Sequence, residues 1–298
     1  TPSIEVGHCG IHLIAAQQLF DIAAQRKDRF EDSFCLSILE IQDEKLVDLV
    51  VETEIAETIG VMKGVDGRDR RVKKKVITDR SSDSKSEDNL RKLEIKTNHD
   101  GDTVVQGLVS VPVTSYEEVI QVWKESLSVR AKRVMELGLD LKSYVSSSHV
   151  IATIEVMSTN VTTGIGTIAK VQCADLAASD VTKKRTSSSR SKTTGMDNIL
   201  APVTAGSRSE WKFVNKSLST FADVVDARVN FSRDAPYRNS TLTHVLRDSL
   251  EADTKTMLLA CIKSDAKDLQ NTANSLRLAS KIRKVVIGKA TKRHVTIA

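Results

Sequence analysis

Thr256-Met257-Leu258-Leu259-Ala260-Cys261-Ile262 is an unbroken apolar run set between two stretches of helical periodicity. Before it, residues 239–250 place Leu242, Val245 and Leu246 on one helical face. After it, residues 268–284 do the same with Leu269, Leu276 and Ala279. A short apolar run with no polar alternation reads as a strand covered on both faces, the kind buried in a parallel or mixed sheet. A strand bracketed by helices puts the chain in the α/β class, with helices on both faces of the sheet.

Moving outward, residues 210–229 carry Leu218, Phe221 and Val225 at helical spacing. Residues 149–157 and 167–174 read as two strands joined by a polar loop with Gly164 and Gly166. No helix with a third glycine follows that pair, so it is hairpin turn chemistry, not a phosphate loop. Ser115-Tyr116-Glu117-Glu118 is a capping box that opens a helix with Val119, Val122, Trp123 and Leu127. Residues 92–96 and 103–105 read as strands flanking a turn at Asp100-Gly101. Residues 34–41, Phe-Cys-Leu-Ser-Ile-Leu-Glu-Ile, read as a largely buried strand, and 44–49 as a short helix or turn. Residues 11–25 place Ile11, Ile14, Ala15, Leu19, Ile22 and Ala23 on one face of an amphipathic helix.

Two stretches break this pattern. Residues 61–92 hold Gly64, Gly67, a basic run at 68–75 and serines at 81–86. Residues 181–210 open with Lys183-Lys184-Arg185 and continue through serines. Both read as flexible insertions within one domain spanning 1–298.

The 298 residues are 40% hydrophobic and 28% charged, enough for one sizeable core. Aromatics are 4%, so that core is mostly aliphatic. A net charge of +5 fits an acidic partner, or serves solubility alone. Cys9, Cys35, Cys173 and Cys261 are widely spaced with no CxxC pair, which fits a reduced, cytoplasmic protein. Three of them sit in apolar runs and are expected to be buried. His8 and His12 lie four apart without a second ligand pair, so no metal site is expected from them. No apolar run has membrane-span length, and the start lacks the features of a signal peptide. The basic runs lack interleaved aromatics, so nucleic acid is the least favoured partner.

Several short motifs carry a resemblance. Asn215-Lys216-Ser217-Leu218-Ser219 is similar to the Asn-Lys-Ser-Leu-Ser signature of kinesin motor domains. Pro236-Tyr237-Arg238-Asn239-Ser240-Thr241-Leu242-Thr243 resembles the family's Pro-Tyr-Arg-Asn/Asp-Ser-Lys-Leu-Thr. Leu39-Glu40-Ile41-Gln42-Asp43-Glu44 looks like Leu-Glu-Ile-Tyr-Asn-Glu. Asp175-Leu176-Ala177-Ala178-Ser179-Asp180 resembles the Asp-Leu-Ala-Gly-Ser-Glu of switch II, and Ser275-Leu276-Arg277-Leu278-Ala279 the family's Ser-Leu-Arg/Asn-Phe-Ala. The motifs fall in family order over nearly the whole chain. Ile287-Gly288-Lys289 after Val285 looks most like the C-terminal-motor branch, kinesin-14.

The resemblance implies a kinesin-like mixed central sheet, related to P-loop NTPases, with helices on both faces and the first strands and P-loop absent. It also implies ATP or ADP with magnesium. The 298 residues contain no Gly-x-x-x-x-Gly-Lys-Ser/Thr and start about where the family's P-loop helix would end. Ser146-Ser147-Ser148-His149 matches switch I, Ser-Ser-Arg-Ser-His, without its arginine, and no Arg lies between Arg133 and Arg185 to restore it. The carry-over gives a vestigial nucleotide and magnesium site of Ser146, Ser148, Asp175 and Ala178, with Asp175 holding the metal through water. Ala178 stands where the family has the glycine that senses the γ-phosphate, adding a methyl and disfavouring positive φ. Asp180 replaces the glutamate that pairs with the missing arginine, so the gate lacks its charge-assisted bond. No residue is singled out as catalytic.

The resemblance further implies a microtubule-binding face carrying Lys183, Lys184, Arg185, Lys216, Arg238 and Arg247. Tubulin's outer face is acidic, so these cations would steer docking in a salt-dependent way. Thr241 stands where the family has a lysine. The reading is a cytoskeletal, microtubule-binding domain with impaired or absent ATP hydrolysis, with a kinesin partner chain joined through a coiled coil outside this segment. Two alternatives stay open: a fragment of an active motor whose P-loop lies upstream of residue 1, and a remnant that binds neither ligand.

Overall fold

Alternation along Phe30–Gln42 builds the centre of the protein. Phe34, Leu36 and Ile38 point to one side of this strand, and Leu39 and Ile41 to the other. Each side has its own apolar cluster, so the strand is covered on both faces. The computed structural model describes residues 10–50, 62–63, 69–70, 92–98, 101–141, 144, 147–178, 205–251, 254–262, 264–285 and 294–296.

The main sheet runs β10-β9-β8-β1-β2, with β7 paired to β1 beside this path. Here β1 is Phe30–Gln42, β2 Lys45–Asp48, β7 Val111–Val113, β8 His149–Asn160, β9 Ile165–Asp175 and β10 His294–Thr296. The pairs Met62–Lys63 with Asp69–Arg70 (β3, β4) and Glu94–Thr97 with Thr103–Gln106 (β5, β6) form separate ladders. Among the described residues every ladder is antiparallel. One face of the sheet is covered by α1 (Ile11–Gln25) and α2 (Tyr116–Glu136), through Ala16, Leu19, Phe20, Val119 and Val122. The other is covered by α3 (Ala205–Val229), α4 (Thr241–Val245), α5 (Arg247–Leu250) and α6 (Leu269–Ile282), through Phe221, Val224, Val225, Leu242, Leu250 and Ile282. The α/β class with a sheet flanked on both faces stands.

Local chemistry explains most boundaries. Ser115 caps α2 by accepting the Glu118 N–H at 3.3 Å. Glu118 reaches back to the Thr114 N–H at 2.6 Å, one residue beyond a regular capping box. Gly164 takes φ +67° in the β8–β9 hairpin, as its turn chemistry requires.

Several expectations are corrected. Residues 44–49 form neither a helix nor a loose turn. Asp43 and Glu44, at φ 51° and 63°, make a two-residue hairpin that pairs Gln42 with Lys45. The 239–250 helix is broken at Leu246 into α4 and α5, preceded by a 3-10 turn at Tyr237–Asn239. In α6 it is Leu278 and Ile282 that pack on the core, while Leu269 and Leu276 are exposed. Leu127 is likewise exposed on α2.

The apolar run 256–262 joins no ladder among the described residues. Met257 is 73% exposed, and Leu259 and Ile262 are over half exposed. A buried strand needs neighbours on both edges to take its N–H and C=O groups. Lacking those, the run stays open, and Cys261, expected to be buried, is exposed with it. Cys35 and Cys173 are half-buried. Helix α3 begins inside the stretch expected to be a flexible insertion. Residues 181–204, and all of 61–92 apart from β3, β4 and Lys92, lie outside the described residues, as do Cys9 and His8.

Candidate functional site

The sheet brings three motifs together at one end. Strand β8 opens at His149, opposite Ile41 near the end of β1. Strand β9 closes at Asp175, and residues 176–178 turn away from it. Helix α3 crosses this corner at Ser217.

Ser147, Ser148 and His149 are 2%, 3% and 2% exposed, and each side chain is held. Ser147 Oγ donates to the Tyr144 carbonyl at 3.0 Å. Ser148 Oγ accepts a hydrogen bond from Nη2 of Arg130. Nε of Arg130 in turn binds Glu40 Oε1 at 2.6 Å, and the Tyr144 hydroxyl donates to Glu40 Oε2 at 3.0 Å. Glu40 is fully buried, so its charge is answered by Arg130 and Tyr144 rather than by water. Burial and the neighbouring Glu40 carboxylate hold the Tyr144 phenol above its ordinary value.

His149 links the other two motifs. The Ala177 N–H donates to its Nδ1 at 2.9 Å. The ring proton therefore sits on Nε2 and points at Ser217 Oγ, 2.8 Å away. Burial lowers the His149 pKa to about 4, so the imidazole is neutral at physiological pH.

On the outer side, Glu44 gathers α3 and α4. Its Oε2 accepts the Thr241 N–H at 2.7 Å, and its carbonyl accepts the Thr241 hydroxyl at 2.9 Å. Lys216 Nζ lies 3.8 Å from the same carboxylate and is half-exposed. Arg238 is exposed in the turn just before α4. Arg238 thus precedes by three residues the Thr241 that Glu44 holds. Arg247 differs: it is half-buried, pairs with Glu251 at 3.0 Å and lies 6.0 Å over the Tyr237 ring. Lys183, Lys184, Arg185 and Ser146 lie outside the described residues. Asp175 is exposed and Ala178 half-buried.

A family model described as the kinesin motor domain matches residues 3–285. The chain belongs to the kinesin motor domain family. Among curated relatives, kinesin-like protein KIN-14J of Oryza sativa subsp. japonica is 30% identical over 283 residues, covering 95% of this chain and 28% of that protein. KIN-14Q of Arabidopsis thaliana is 30% identical over 284 residues, 95% of this chain and 19% of that protein. The chain therefore spans less than a third of the length of these kinesin-14 relatives. A solved fast kinesin matches with TM-score 0.67 at 22% identity, over 96% of this chain and 65% of that one. The C-terminal motor and motor homology domain of Kar3Vik1, fused to a synthetic heterodimeric coiled coil, matches with TM-score 0.63 at 23% identity, over 92% and 57%. These two structures bear on the fold.

Kinesin motors bind nucleotide with magnesium, and the residues present here can be tested against that group. The Ser148 hydroxyl is turned into the core and taken by Arg130. Among the described residues, no three His, Cys, Asp or Glu side chains gather as a metal set. Asp175 alone keeps an exposed carboxylate at the expected place. Of the residues read as holding magnesium, Ser148 is occupied by Arg130, Asp175 is open, and Ser146 lies outside the described residues. No described helix is long and apolar enough to cross a membrane.

The sequence reading missed Arg130, Tyr144 and Glu44 as site residues. One signal was available: Glu40 is the one charged residue in the expected strand 34–41, and a buried carboxylate requires a partner. The depressed His149 pKa also has a measurable consequence. Above pH 6.5 the ring is neutral folded and unfolded, and it contributes nothing to pH dependence. As pH falls from about 6.5 to 4 the unfolded chain takes up a proton that the native ring refuses, so stability falls. Urea titrations are expected to show this loss, on the order of 3 kcal/mol, reduced in His149→Gln.

Proposed function

We infer that this chain is a microtubule-attachment domain of kinesin type in which ATP hydrolysis is impaired or absent, working at the cytoskeleton in microtubule-based processes. The observation that carries this reading is the fate of Ser148. Of the two hydroxyls read as facing the nucleotide or metal, Ser146 and Ser148, the one described is buried and hydrogen-bonded to Arg130. Ala178, in place of a phosphate-sensing glycine, and the lack of a switch I arginine point the same way. Attachment is supported by Lys216, beside Glu44, and by Arg238, exposed in the turn before α4. Arg247 contributes less, because Glu251 already answers its charge. Lys183, Lys184 and Arg185 belong to the proposed face as cations of the adjoining loop. Ser146, Ser148, Asp175 and Ala178 are read as a vestigial nucleotide site.

One observation favours a second reading. Asp175 remains exposed at the end of β9, open to a ligand. With a phosphate-binding loop upstream of residue 1, the same corner would serve an active, ATP-dependent motor. The Kar3Vik1 structure pairs a motor with a coiled coil. By analogy the proposal includes a kinesin partner chain joined outside this segment.

Cosedimentation with stabilised microtubules at two salt concentrations, with and without magnesium ATP, tests the reading. Binding is expected at low salt, weakening as salt rises, and unchanged by ATP. Release by ATP would overturn the impaired-hydrolysis reading in favour of the second. Folded protein that stays in the supernatant at low salt would remove attachment altogether.

A further inference from the structure

Residues 147–149 end the stretch that resembles switch I and lead into β8, and they are tied on three sides. Ser147 is bound to the Tyr144 carbonyl, Ser148 to Arg130, and His149 to both the Ala177 N–H and Ser217. All three are buried. Behind them stands the fully buried Glu40 carboxylate, which fixes Arg130 and Tyr144 from the sheet. A movement of 147–149 would disturb five side-chain hydrogen bonds, that from Gln42 to Ser147 among them, and strip Arg130 of one partner in a buried site. Buried groups left unpaired in this way are costly, so the segment has one favoured position.

We propose that residues 147–149 act as a fixed strut, and that His149 is the positioning residue that locks α3 to the 176–178 turn through Ser217. The inference rests on the attachment reading above, because Ser217 is next in sequence to Lys216. The strut ends one residue from a cation of the docking face. Its Nδ1 is committed to a backbone amide, so its Nε2–H has a set direction and Ser217 has a set place. Helix α3 then presents Lys216 in one orientation without any ligand in the nucleotide corner.

Four proteins test it: wild type, Ser217→Ala, Ser217→Thr and Lys216→Gln. Each is measured by microtubule cosedimentation at two salt concentrations and by hydrogen exchange of the α3 amides. Ser217→Ala removes the acceptor for His149 but no charge. Each hydrogen bond lost is worth roughly a three- to tenfold change in an equilibrium constant. Microtubule affinity is expected to fall about that much, with the salt slope unchanged. Exchange is expected to speed up over residues 216–224 and not in β1 or β8. Ser217→Thr keeps the hydroxyl and restores both readouts. Lys216→Gln lowers both affinity and salt slope.

Ser217→Ala with wild-type affinity and wild-type α3 exchange, while Lys216→Gln binds weakly, would overturn the strut and leave attachment standing. If Lys216→Gln binds as wild type does, the attachment reading falls at that residue, and α3 exchange in Ser217→Ala decides the strut alone. Faster exchange spread evenly over the whole chain would mean general loosening, and would overturn the positioning role.

Discussion

Arg130→Leu is expected to lower stability by about 3–5 kcal/mol. The guanidinium is 2.6 Å from Glu40, and the side chains are 9% and 0% exposed. Removing it leaves a carboxylate in the sheet interior with only the Tyr144 hydroxyl as an uncharged partner. It also orphans Ser148. In urea the midpoint should drop while the m-value holds, since the same surface is exposed on unfolding. The double variant Glu40→Met with Arg130→Leu should recover much of the loss, because it leaves no buried charge unpaired. Tyr144 then keeps a buried hydroxyl without its acceptor, so recovery is incomplete. A loss under about 1 kcal/mol for Arg130→Leu would mean that Glu40 is reached by water or takes up a proton. The account of a rigid corner would then fail at its base.

How far the sequence announced this arrangement depends on the range of the forces involved. The extents of helices α1 and α2 and the β8–β9 hairpin were legible because periodicity, a capping serine and a turn glycine are all local signals. The apolar face read for α1 was not: Ile11, Ile14 and Ile22 are exposed, while Leu13, Ala16, Leu19, Phe20 and Ala23 pack on the core. The 44–49 hairpin was missed because Asp43 and Glu44 are not the Asn-Gly pair that marks such turns, though both take positive φ. The face of α6 was misjudged for another reason. Leu269, Leu276 and Ala279 share one helical face, but tertiary packing selected Leu278 and Ile282. The run at 256–262 failed most instructively. Its composition is that of a doubly covered strand, and composition alone cannot supply the neighbours that such a strand needs.

The candidate site divides in the same way. Lys216, Arg238 and Asp175 were found from motif position, and the structure leaves all three open to solvent or half so. Ser148 was found too, but its surroundings were not. Arg130 lies 18 residues away in sequence and Glu40 90 residues from Arg130, so nothing local reports their meeting. Glu44 shows the cost of reading charges singly. Its carboxylate takes part of the field of Lys216, a cation that looks free in the sequence. The docking face is therefore less positive than a count of lysines and arginines suggests.

That partial compensation sets the size of the effect at the docking face. Lys216→Glu with Arg238→Glu is expected to weaken microtubule binding by on the order of ten- to a hundredfold at low salt. Each exposed charge contributes up to about 1 kcal/mol, and reversal replaces attraction with repulsion. Lys216 is half-exposed and Arg238 exposed, so both charges can face an acidic polymer across water. The loss should shrink as salt rises, because the Debye length falls from about 10 Å at 0.1 M to about 3 Å at 1 M. Reversal at Lys216 also places a second carboxylate near Glu44, so part of any effect could come through the fold. Lys216→Gln with Arg238→Gln separates the two causes. It removes both cations without adding a charge, and should show the same direction at smaller size with an unchanged melting temperature. Arg247→Gln should matter less than either, since its guanidinium is already held by Glu251 and stacked on Tyr237. If the double reversal binds like wild type at low salt, the attachment face lies elsewhere on the chain, and the corner built by Glu44, Lys216 and Arg238 serves the fold alone.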